Sequence, residues 1–315
     1  MATPSFSIVI TAYQAAETIG AAIESALAQT LPAHEVIVVD DGSTDDLAGA
    51  LRPFGDRIEL VRRENGGGAA ARNTGAEAAR GDFMAVLDAD DAYHPRRLEV
   101  IADLARARPE LDLITTDARL VVEGEGVGTF ATHTPFVTEG QRTAIFETCF
   151  LGGWPALRLR RLEAIGGFDE SFRIAYDWDC WLRAILDGAV AGFVEEPYYD
   201  YVLHQGSLSA SRAPSLWERA RLLEKAARNP NLREEERPAL ERALRMHRSR
   251  AVMADVQAAL YGSGPRLRLA RHAVAPHLEL RARETALLAA AAPPLARRLV
   301  REDRPAEERL SASGA

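Results

Sequence analysis

Short runs of β-branched and aromatic residues alternate with helix-like segments in the first hundred residues, and this alternation restricts the folds that the chain can adopt. The runs cover residues 6–10, 35–39, 58–61 and 83–87, and apolar residues fall at helical spacing between them. Strands separated by helices favour a mostly parallel sheet with helices on both faces. We therefore predict an α/β fold with ligands bound at the carboxyl ends of its strands.

Acidic residues directly follow two of these predicted strands. Asp40 and Asp41 follow the second strand, and Asp88, Asp90 and Asp91 follow the fourth. Carboxylates packed together repel one another unless a cation or hydrogen-bond donors compensate. Mg²⁺ is often held by one or two carboxylates together with substrate phosphates. A simple Asp- and Gly-based turn is the alternative for the first cluster, but two clusters at one sheet edge favour a ligand site.

A glycine-rich stretch, residues 65–75, lies between the two acidic clusters. It leads into an alanine-rich segment that favours a helix over residues 69–79, and such a turn lets the backbone approach a phosphate, with Arg72 supplying charge. The stretch lacks the Gly-Lys-Ser/Thr of a P-loop, and it does not follow the first strand, where dinucleotide-binding folds place their glycines. A flexible turn before a helix of small residues is the alternative.

Four stretches, taken together in their order and spacing, resemble one enzyme family. They are residues 7–13, 38–45, 68–75 and 87–91. Together they resemble the inverting glycosyltransferases of family 2, which have the GT-A fold and use nucleotide-sugar donors. The resemblance covers residues 6–211 and continues through a Gly-Gly-Phe-Asp turn at 166–169 and an acidic stretch at 176–179. It implies a Rossmann-like, mostly parallel sheet with flanking helices, followed by a C-terminal helical extension.

The resemblance implies that the donor and a divalent cation, Mg²⁺ or Mn²⁺, bind at the strand ends. Asp41 would contact the nucleotide base, with Asp40 beside it, and Arg72 and His204 would contact the diphosphate. Asp90 would lie nearest the ribose and the metal. The metal ligands implied are Asp88, Asp90 and Asp91. The nucleotide-sugar contacts implied are Thr11, Tyr13, Asp40, Asp41, Arg72, Asp88, Asp90 and His204.

Asp177 is the general base that the resemblance implies. Tyr176 stands where many members have Glu, which changes the surroundings of the Asp177 carboxylate. Asp177 and Asp179 also lie near the start of a predicted helix, where the helix dipole alone favours acidic residues. That placement is the alternative explanation for both, and Asp179 is the second candidate for the base. Trp154 fits two roles, lining an acceptor sugar or anchoring a glycine-rich bend.

One carboxylate base predicts a single displacement at the anomeric carbon, and therefore inversion. The expected reaction is metal-dependent transfer of a sugar from a nucleotide-diphospho-sugar, with UDP-sugars first, to a hydroxyl of a saccharide or lipid-linked glycan in cell-surface polysaccharide synthesis. Two alternatives remain: a sugar nucleotidyltransferase, and a non-catalytic scaffold that retains the fold. The turn after the first strand lacks a basic glycine-rich loop for a triphosphate, and the retained aspartates argue against a scaffold.

Charge is divided unevenly along the chain. Residues 1–211 carry 17 Arg and 33 acidic residues, whereas residues 212–315 carry 21 basic and 13 acidic residues. With the resemblance, this predicts a catalytic domain over 1–211, a basic helical extension over 212–301 and a disordered tail over 302–315. A basic helical segment can rest on anionic lipid, and a solvated cap or a dimer element is the alternative.

Composition excludes several other classes of protein. The balance of 38 basic and 46 acidic residues excludes a simple nucleic-acid binder. Two cysteines, Cys149 and Cys180, exclude a disulfide scaffold, and their spacing indicates packing rather than metal binding. No apolar stretch is long enough to predict a membrane-spanning helix, and the first residues lack the basic start of a signal peptide. We expect a cytoplasmic protein, with peripheral contact at the inner face of the membrane as a hypothesis.

Overall fold

The computed structural model divides the chain into two compact units. The first comprises Met1–Ala210 and Asn229–Glu236, and the second comprises Ser211–Arg228 and Arg237–Ala315. The segment after residue 228 thus returns to the first unit, which charge alone did not indicate. The residues described are 3–203, 212–261, 275, 278–291, 293 and 296. His204, parts of the predicted basic helical extension over 212–301 and the tail over 302–315 lie outside them.

A sheet of nine strands within the described residues forms the centre of the first unit. Its strands are β1 (Phe6–Ala12), β2 (Glu35–Asp40), β3 (Glu59–Arg62), β4 (Phe83–Asp88), β5 (Ala92–Tyr93), β6 (Leu111–Val122), β7 (Glu125–Thr129), β8 (Ala156–Arg158) and β9 (Val190–Val202). Their order is β3-β2-β1-β4-β8-β6-β9-β5, with β7 paired to β6. Strands β5, β7 and β8 run against their neighbours, and the other strands share one direction. The predicted mostly parallel α/β sheet is confirmed.

Helices connect the strands and flank the sheet. In the first unit they are α1 (Ile19–Leu27), α2 (Leu47–Leu51), α3 (Gly68–Ala78), α4 (Arg97–Ala107), α5 (Phe130–His133), α6 (Gln141–Glu147), α7 (Leu159–Ala164) and α8 (Tyr176–Leu186), with 3-10 turns at Arg52–Arg57 and Glu234–Glu236. Helix α4 begins two residues after Pro95, because His94 and Pro95 lie in a turn closed by the Arg97 amide donating to the His94 carbonyl at 2.9 Å.

The two faces of β1 pack against different helices because side chains alternate across a strand. Ile8 and Ile10 belong to a core cluster with residues of α1 and α4, including Ile23 and Ile101. Val9 points the other way, toward Gly75 of α3. Large apolar side chains therefore fill one face, and on the other a helix of small residues lies close to the strands.

The second unit is helical in its described residues. It contains α9 (Arg212–Ala226), α10 (Arg237–Tyr261) and α11 (Leu280–Ala291). Val252 and Val256 of α10 form an apolar cluster with Ala282, Ala286 and Ala289 of α11. None of the helices in the described ranges is long and apolar enough to cross a membrane.

Candidate functional site

Strand register brings the two acidic clusters to one edge of the sheet. Thr11 lies beside Val39 of β2 on one side and beside Asp88 of β4 on the other, and Ala12 lies beside Asp40. Adjacent strands are ~4.8 Å apart. Asp40 and Asp88 therefore flank the end of β1, at the carboxyl edge where a parallel sheet binds ligands.

Asp40 is a buried carboxylate with protein donors on both oxygens. Its Oδ1 accepts from the Ser43 amide at 2.8 Å, and its Oδ2 pairs with Nε of Arg62 at 2.9 Å. Burial alone would raise the pKa of Asp40, but the hydrogen bonds from Ser43 and Arg62 outweigh burial and hold this pKa below its ordinary value. Asp40 is therefore an ionised group that fixes the turn after β2.

Asp41 organises the glycine-rich turn that precedes α3. Its carboxylate accepts from the Gly66 amide at 3.0 Å and the Gly67 amide at 2.8 Å, and it pairs with Arg63. Nδ2 of Asn65 donates to the Asp41 carbonyl at 3.0 Å. The turn thus takes its shape from a carboxylate at the end of β2, a contact that the sequence pattern did not indicate.

Gln14 connects the turn after β1 to the turn after β2. Its backbone has a φ of +53°, and its Oε1 accepts from the amides of Thr44 at 2.7 Å and Asp45 at 3.1 Å. Its own amide donates to Oγ of Ser43 at 3.0 Å. The neighbouring Tyr13 is 55% exposed. The link between the two turns therefore presents an aromatic ring to solvent beside the strand ends.

The acidic residues after β4 divide into a buried group and a more accessible pair. Asp91 is buried, and its oxygens accept from the Tyr199 hydroxyl and the Val202 amide, both at 2.7 Å. Burial raises the pKa of Asp91, and the nearby charges of Asp88 and Asp90 raise it further. Asp88 and Asp90 are only half-buried. This geometry gives Asp91 a structural role, because both of its oxygens are engaged within the protein.

Any divalent cation at the more accessible pair would need substrate or water oxygens to complete its coordination. No group of three or more His, Cys, Asp or Glu side chains that could hold a metal ion occurs within the described residues. The Asp88 side chain is 36% exposed, and one of its oxygens pairs with Arg72. Mg²⁺ commonly uses one or two carboxylates and keeps water or phosphate oxygens in its other positions. Asp88 and Asp90 match that requirement.

Arg72 is covered by protein. It is 1% exposed, and its Nη2 pairs with Oδ1 of Asp88 at 2.9 Å. Its guanidinium carbon lies 4.9 Å from the Tyr176 ring centroid and 5.8 Å from that of Phe168. Burial alone would lower the pKa of Arg72, but Tyr176, Asp88 and Asp177 outweigh burial and raise it. The guanidinium is therefore enclosed by protein in this structure, and its predicted contact with the diphosphate stays a prediction.

Asp177 lies half-buried in the first turn of α8, directly after Tyr176, whose ring contacts Arg72. Its Oδ1 accepts from the Trp178 amide at 2.6 Å, and a Cβ built on Gly153 would lie 3.2 Å from its Oδ2. Desolvation is the largest cause that raises the pKa of the buried Tyr176 hydroxyl, and the charges of Asp88 and Asp177 raise it further. The role of Asp177 as the base stays a prediction.

Asp179, the second candidate for the base, has a structural role. It is 2% exposed and pairs with Nε of Arg183 at 2.7 Å. The same guanidinium donates to the carbonyls of Ile165 and Gly167, each at 2.7 Å. Because this ion pair is buried and fixes the turn before α8, Asp179 does not face the site as Asp177 does.

Asn73 is a site residue whose role the sequence did not reveal. Its Nδ2 donates to the Phe168 carbonyl at 2.9 Å, and its Oδ1 accepts from the Phe168 amide at 2.7 Å. Gly167 has a φ of +75°, which favours glycine. The glycine pair at residues 166–167 was the only local signal, and it did not identify a partner 95 residues away.

The structure bears on Trp154, for which two roles were open, and on Cys149 and Cys180, for which packing was predicted. Trp154 is 3% exposed, its Nε1 donates to the Thr116 carbonyl at 3.0 Å, and its ring lies 4.9 Å from that of Tyr199. It anchors the bend, since neither an exposed ring face nor a free N–H is left for a sugar. Cys180 is buried, and desolvation raises the pKa of its thiol to about 12. Cys149 is only partly buried.

Comparison with known proteins identifies the family. The family model described as "Glycosyl transferase family 2" matches residues 7–164, half of the chain. The chain belongs to glycosyl transferase family 2. This family 2 member is 34% identical over 232 residues to the succinoglycan biosynthesis protein ExoU of Rhizobium meliloti, covering 65% of this chain and 64% of ExoU. It is 35% identical over 218 residues to ExoO of the same organism, covering 65% and 63%. The chain thus spans less than two thirds of the length of these relatives.

Solved structures share the fold of this family 2 member. S. aureus TarS 1–349 in complex with UDP superposes with a TM-score of 0.67 at 19% identity, covering 95% of this chain and 90% of that chain. The mannosyltransferase PcManGT of Pyrobaculum calidifontis, in complex with GDP-Man and Mn²⁺, gives a TM-score of 0.59 at 22% identity, covering 94% and 88%. The predicted GT-A fold and membership of a glycosyltransferase enzyme family are confirmed.

Proposed function

We propose that the protein transfers a sugar, with inversion, from a nucleotide-diphospho-sugar to a hydroxyl of a saccharide or lipid-linked glycan. The observation that carries this proposal is geometric: Asp88, at the carboxyl edge of the sheet, pairs with Arg72 at 2.9 Å, and the Arg72 guanidinium lies 4.9 Å from the ring centroid of Tyr176, the residue directly before Asp177. This chemistry needs protein carboxylates that bind the sugar donor and a general base for the acceptor, both within one site. UDP-sugars are the proposed donors, because TarS binds UDP and UDP-GlcNAc, although PcManGT binds GDP-Man.

In this proposal the strand ends hold the donor. The nucleotide side of the site consists of Thr11, Tyr13 and the turns that Asp40 and Asp41 order. The exposed Tyr13 ring is available to the nucleotide base. Asp88 and Asp90 would hold Mg²⁺ or Mn²⁺. When bound, such a cation offsets the negative charge that develops on the departing nucleoside diphosphate.

Asp177 acts as the general base in this proposal. It takes the proton from the acceptor hydroxyl as that oxygen attacks the anomeric carbon, and the bond to the diphosphate breaks on the opposite face. Such a base is typically worth ~10²–10⁴-fold in rate. The accessible share of Asp177 and the burial of Asp179 support this assignment.

The proposed acceptor belongs to the synthesis of a cell-surface polysaccharide. Support comes from ExoU and ExoO, two succinoglycan biosynthesis proteins with 34% and 35% identity over the matched residues. Peripheral contact of residues 212–301 with anionic membrane stays a prediction. Co-sedimentation with anionic vesicles at low salt tests it, and absence of binding would contradict it.

Thermal unfolding with nucleotides tests the donor site directly. UDP, GDP, dTDP and CMP are each added with Mn²⁺ and with EDTA. A ligand at ~100 times its dissociation constant stabilises by ~2.7 kcal/mol, so we expect a clear rise in Tm with UDP and Mn²⁺ and a smaller one with EDTA. The absence of a response to every nucleotide would favour the scaffold alternative.

A further inference from the structure

Arg72 of α3 and Tyr176 of α8 make a contact that joins the two sides of the site. We propose that this pair is a positioning unit, which holds Asp88 at the end of β4 and Asp177 in the first turn of α8 in a fixed relation. The inference rests on the proposed function, because that function gives Asp88 and Asp177 their roles. It assigns Arg72 a different role from the one that family resemblance implied.

The guanidinium of Arg72 bridges the two helices and the strand end. One edge pairs with Asp88 at 2.9 Å, and one face lies over the Tyr176 ring at 4.9 Å from its centroid. Phe168 lies at 5.8 Å from the same guanidinium. A planar cation can use its edge and its face at the same time, which a lysine ammonium cannot do. Any displacement of Arg72 therefore acts on Asp88 and on α8 together.

Tyr176 packs against the first residue of α3, which is a glycine. A Cβ built on Gly68, the first residue of α3, would lie only 2.5 Å from the Tyr176 hydroxyl oxygen. The absence of a side chain at Gly68 therefore allows the phenol to pack against the helix start, and Tyr176 is 8% exposed. Asn73 holds the same helix to the turn at Phe168 at 2.7 and 2.9 Å. Helix α3 thus contacts the first residue of α8, Tyr176, directly before Asp177.

The contacts of the pair lie next to both proposed functional carboxylates. Nη2 of Arg72 pairs with Asp88, and Tyr176 directly precedes Asp177 in the first turn of α8. The aromatic ring of Tyr176, rather than its hydroxyl, makes the contact with the guanidinium. A neutral tyrosine at this position also avoids a further carboxylate next to Asp177.

Three substitutions in the full chain test the inference. Tyr176→Leu removes the ring, Arg72→Lys keeps a charge for Asp88 but removes the planar face, and Tyr176→Phe keeps the stack and serves as the matched control. The measurements are kcat and KM for nucleotide release from UDP-GlcNAc or GDP-mannose, and the Kd of UDP with Mn²⁺ by calorimetry. Thermal unfolding verifies that each variant is folded.

We expect a loss of kcat without a loss of nucleotide affinity. Misplacing a base by about 1 Å can cost about 100-fold in rate, so Tyr176→Leu and Arg72→Lys should each lower kcat at least ~10-fold. The Kd of UDP should change less than ~3-fold, because both variants retain the cation beside Asp88. Tyr176→Phe should stay within ~3-fold of the wild type in both quantities.

Two results would overturn the inference while leaving the proposed function intact. One is an unchanged kcat in both Tyr176→Leu and Arg72→Lys. The other is weaker UDP binding by Arg72→Lys with kcat unchanged, which would make Arg72 a donor contact. If Tyr176→Leu does not fold, the comparison of kcat and the Kd of UDP between Arg72→Lys and Tyr176→Phe decides the question. A wild-type protein that releases no nucleotide from either donor would contradict the proposed function, and this inference with it.

Discussion

At the residue scale, two adjacent aspartates, the last residue of β2 and the residue after it, have different partners. Asp40 pairs with Arg62 and the Ser43 amide, whereas Asp41 receives the amides of Gly66 and Gly67. Both side chains are buried, and both order turns beside the strand ends. Both aspartates therefore shape the turns that form the nucleotide side of the proposed site.

Asp40→Asn should lower stability in a pH-dependent way. Hydrogen bonds lower the pKa of folded Asp40 below its ordinary value of 3.8, so its stabilisation is present above that value and is lost as pH falls through the folded pKa. We expect a loss of about 1 kcal/mol at pH 7, which becomes smaller as the pH falls below 3.8. Urea unfolding across this range measures it. The exposed Asp56→Asn is the control, and an equal loss in Asp40→Asn at pH 3 and pH 7 would contradict the argument.

Tyr199→Phe should destabilise the protein through Asp91. The variant removes the hydroxyl that donates to Oδ2 of the buried carboxyl and leaves it with the Val202 amide. A buried polar group that loses a partner costs ~1–3 kcal/mol. Tyr198→Phe is the matched control, because Tyr198 is only half-buried and contacts His94 edge-on, and we expect less than ~0.5 kcal/mol there. Chemical unfolding yielding equal stabilities for the two variants would contradict this role.

At the element scale, α3 depends on small residues to approach the sheet. A Cβ on Gly75 would lie 2.3 Å from Cγ1 of Val9 and 3.3 Å from Cγ2 of Val39. The helix therefore packs its glycine directly on β1 and β2, which places the first turn of α3 at the strand ends. Close packing of this kind leaves no room for even one methyl group without movement.

Gly75→Ala should destabilise although alanine favours helices. Alanine gains about 1 kcal/mol in helix propensity over glycine, but overpacking at this contact costs ~1–3 kcal/mol. Gly20→Ala in α1 is the matched control, because a Cβ added at Gly20 would meet nothing within 4 Å, and this variant should be neutral or stabilising. Thermal unfolding compares the two, and a higher Tm for Gly75→Ala than for the wild type would contradict the packing argument.

The elements that sequence patterns predicted are those whose signals are local. The runs at residues 6–10, 35–39 and 83–87 are largely buried and lie in β1, β2 and β4. Strand β6, Leu111–Val122, pairs with Val190–Val202 far along the chain, and no local pattern indicated that pairing. The last residues of β9 place Tyr199 against Asp91, so the structural role of Asp91 depended on information that residues 88–91 do not contain.

At the scale of the whole molecule, site prediction was limited by burial and by distant partners. The order of strands and helices predicted which edge holds Asp40 and Asp88, because parallel strands end together. It did not predict that Arg72 is enclosed, because its cover comes from Phe168 and Tyr176, much later in the chain. The uneven charge distribution likewise predicted two segments, but it did not predict that Asn229–Glu236 belongs to the first unit.

The central claim, that Asp177 is the general base of a nucleotide-sugar transferase, has one direct measurement. Asp177→Asn is compared with the wild type and with the exposed control Asp103→Asn for nucleotide release from UDP-GlcNAc or GDP-mannose and for UDP binding with Mn²⁺. Loss of a general base predicts at least a ~100-fold fall in kcat, with the Kd of UDP and the control unchanged. An Asp177→Asn protein that turns over at the wild-type rate would contradict the account.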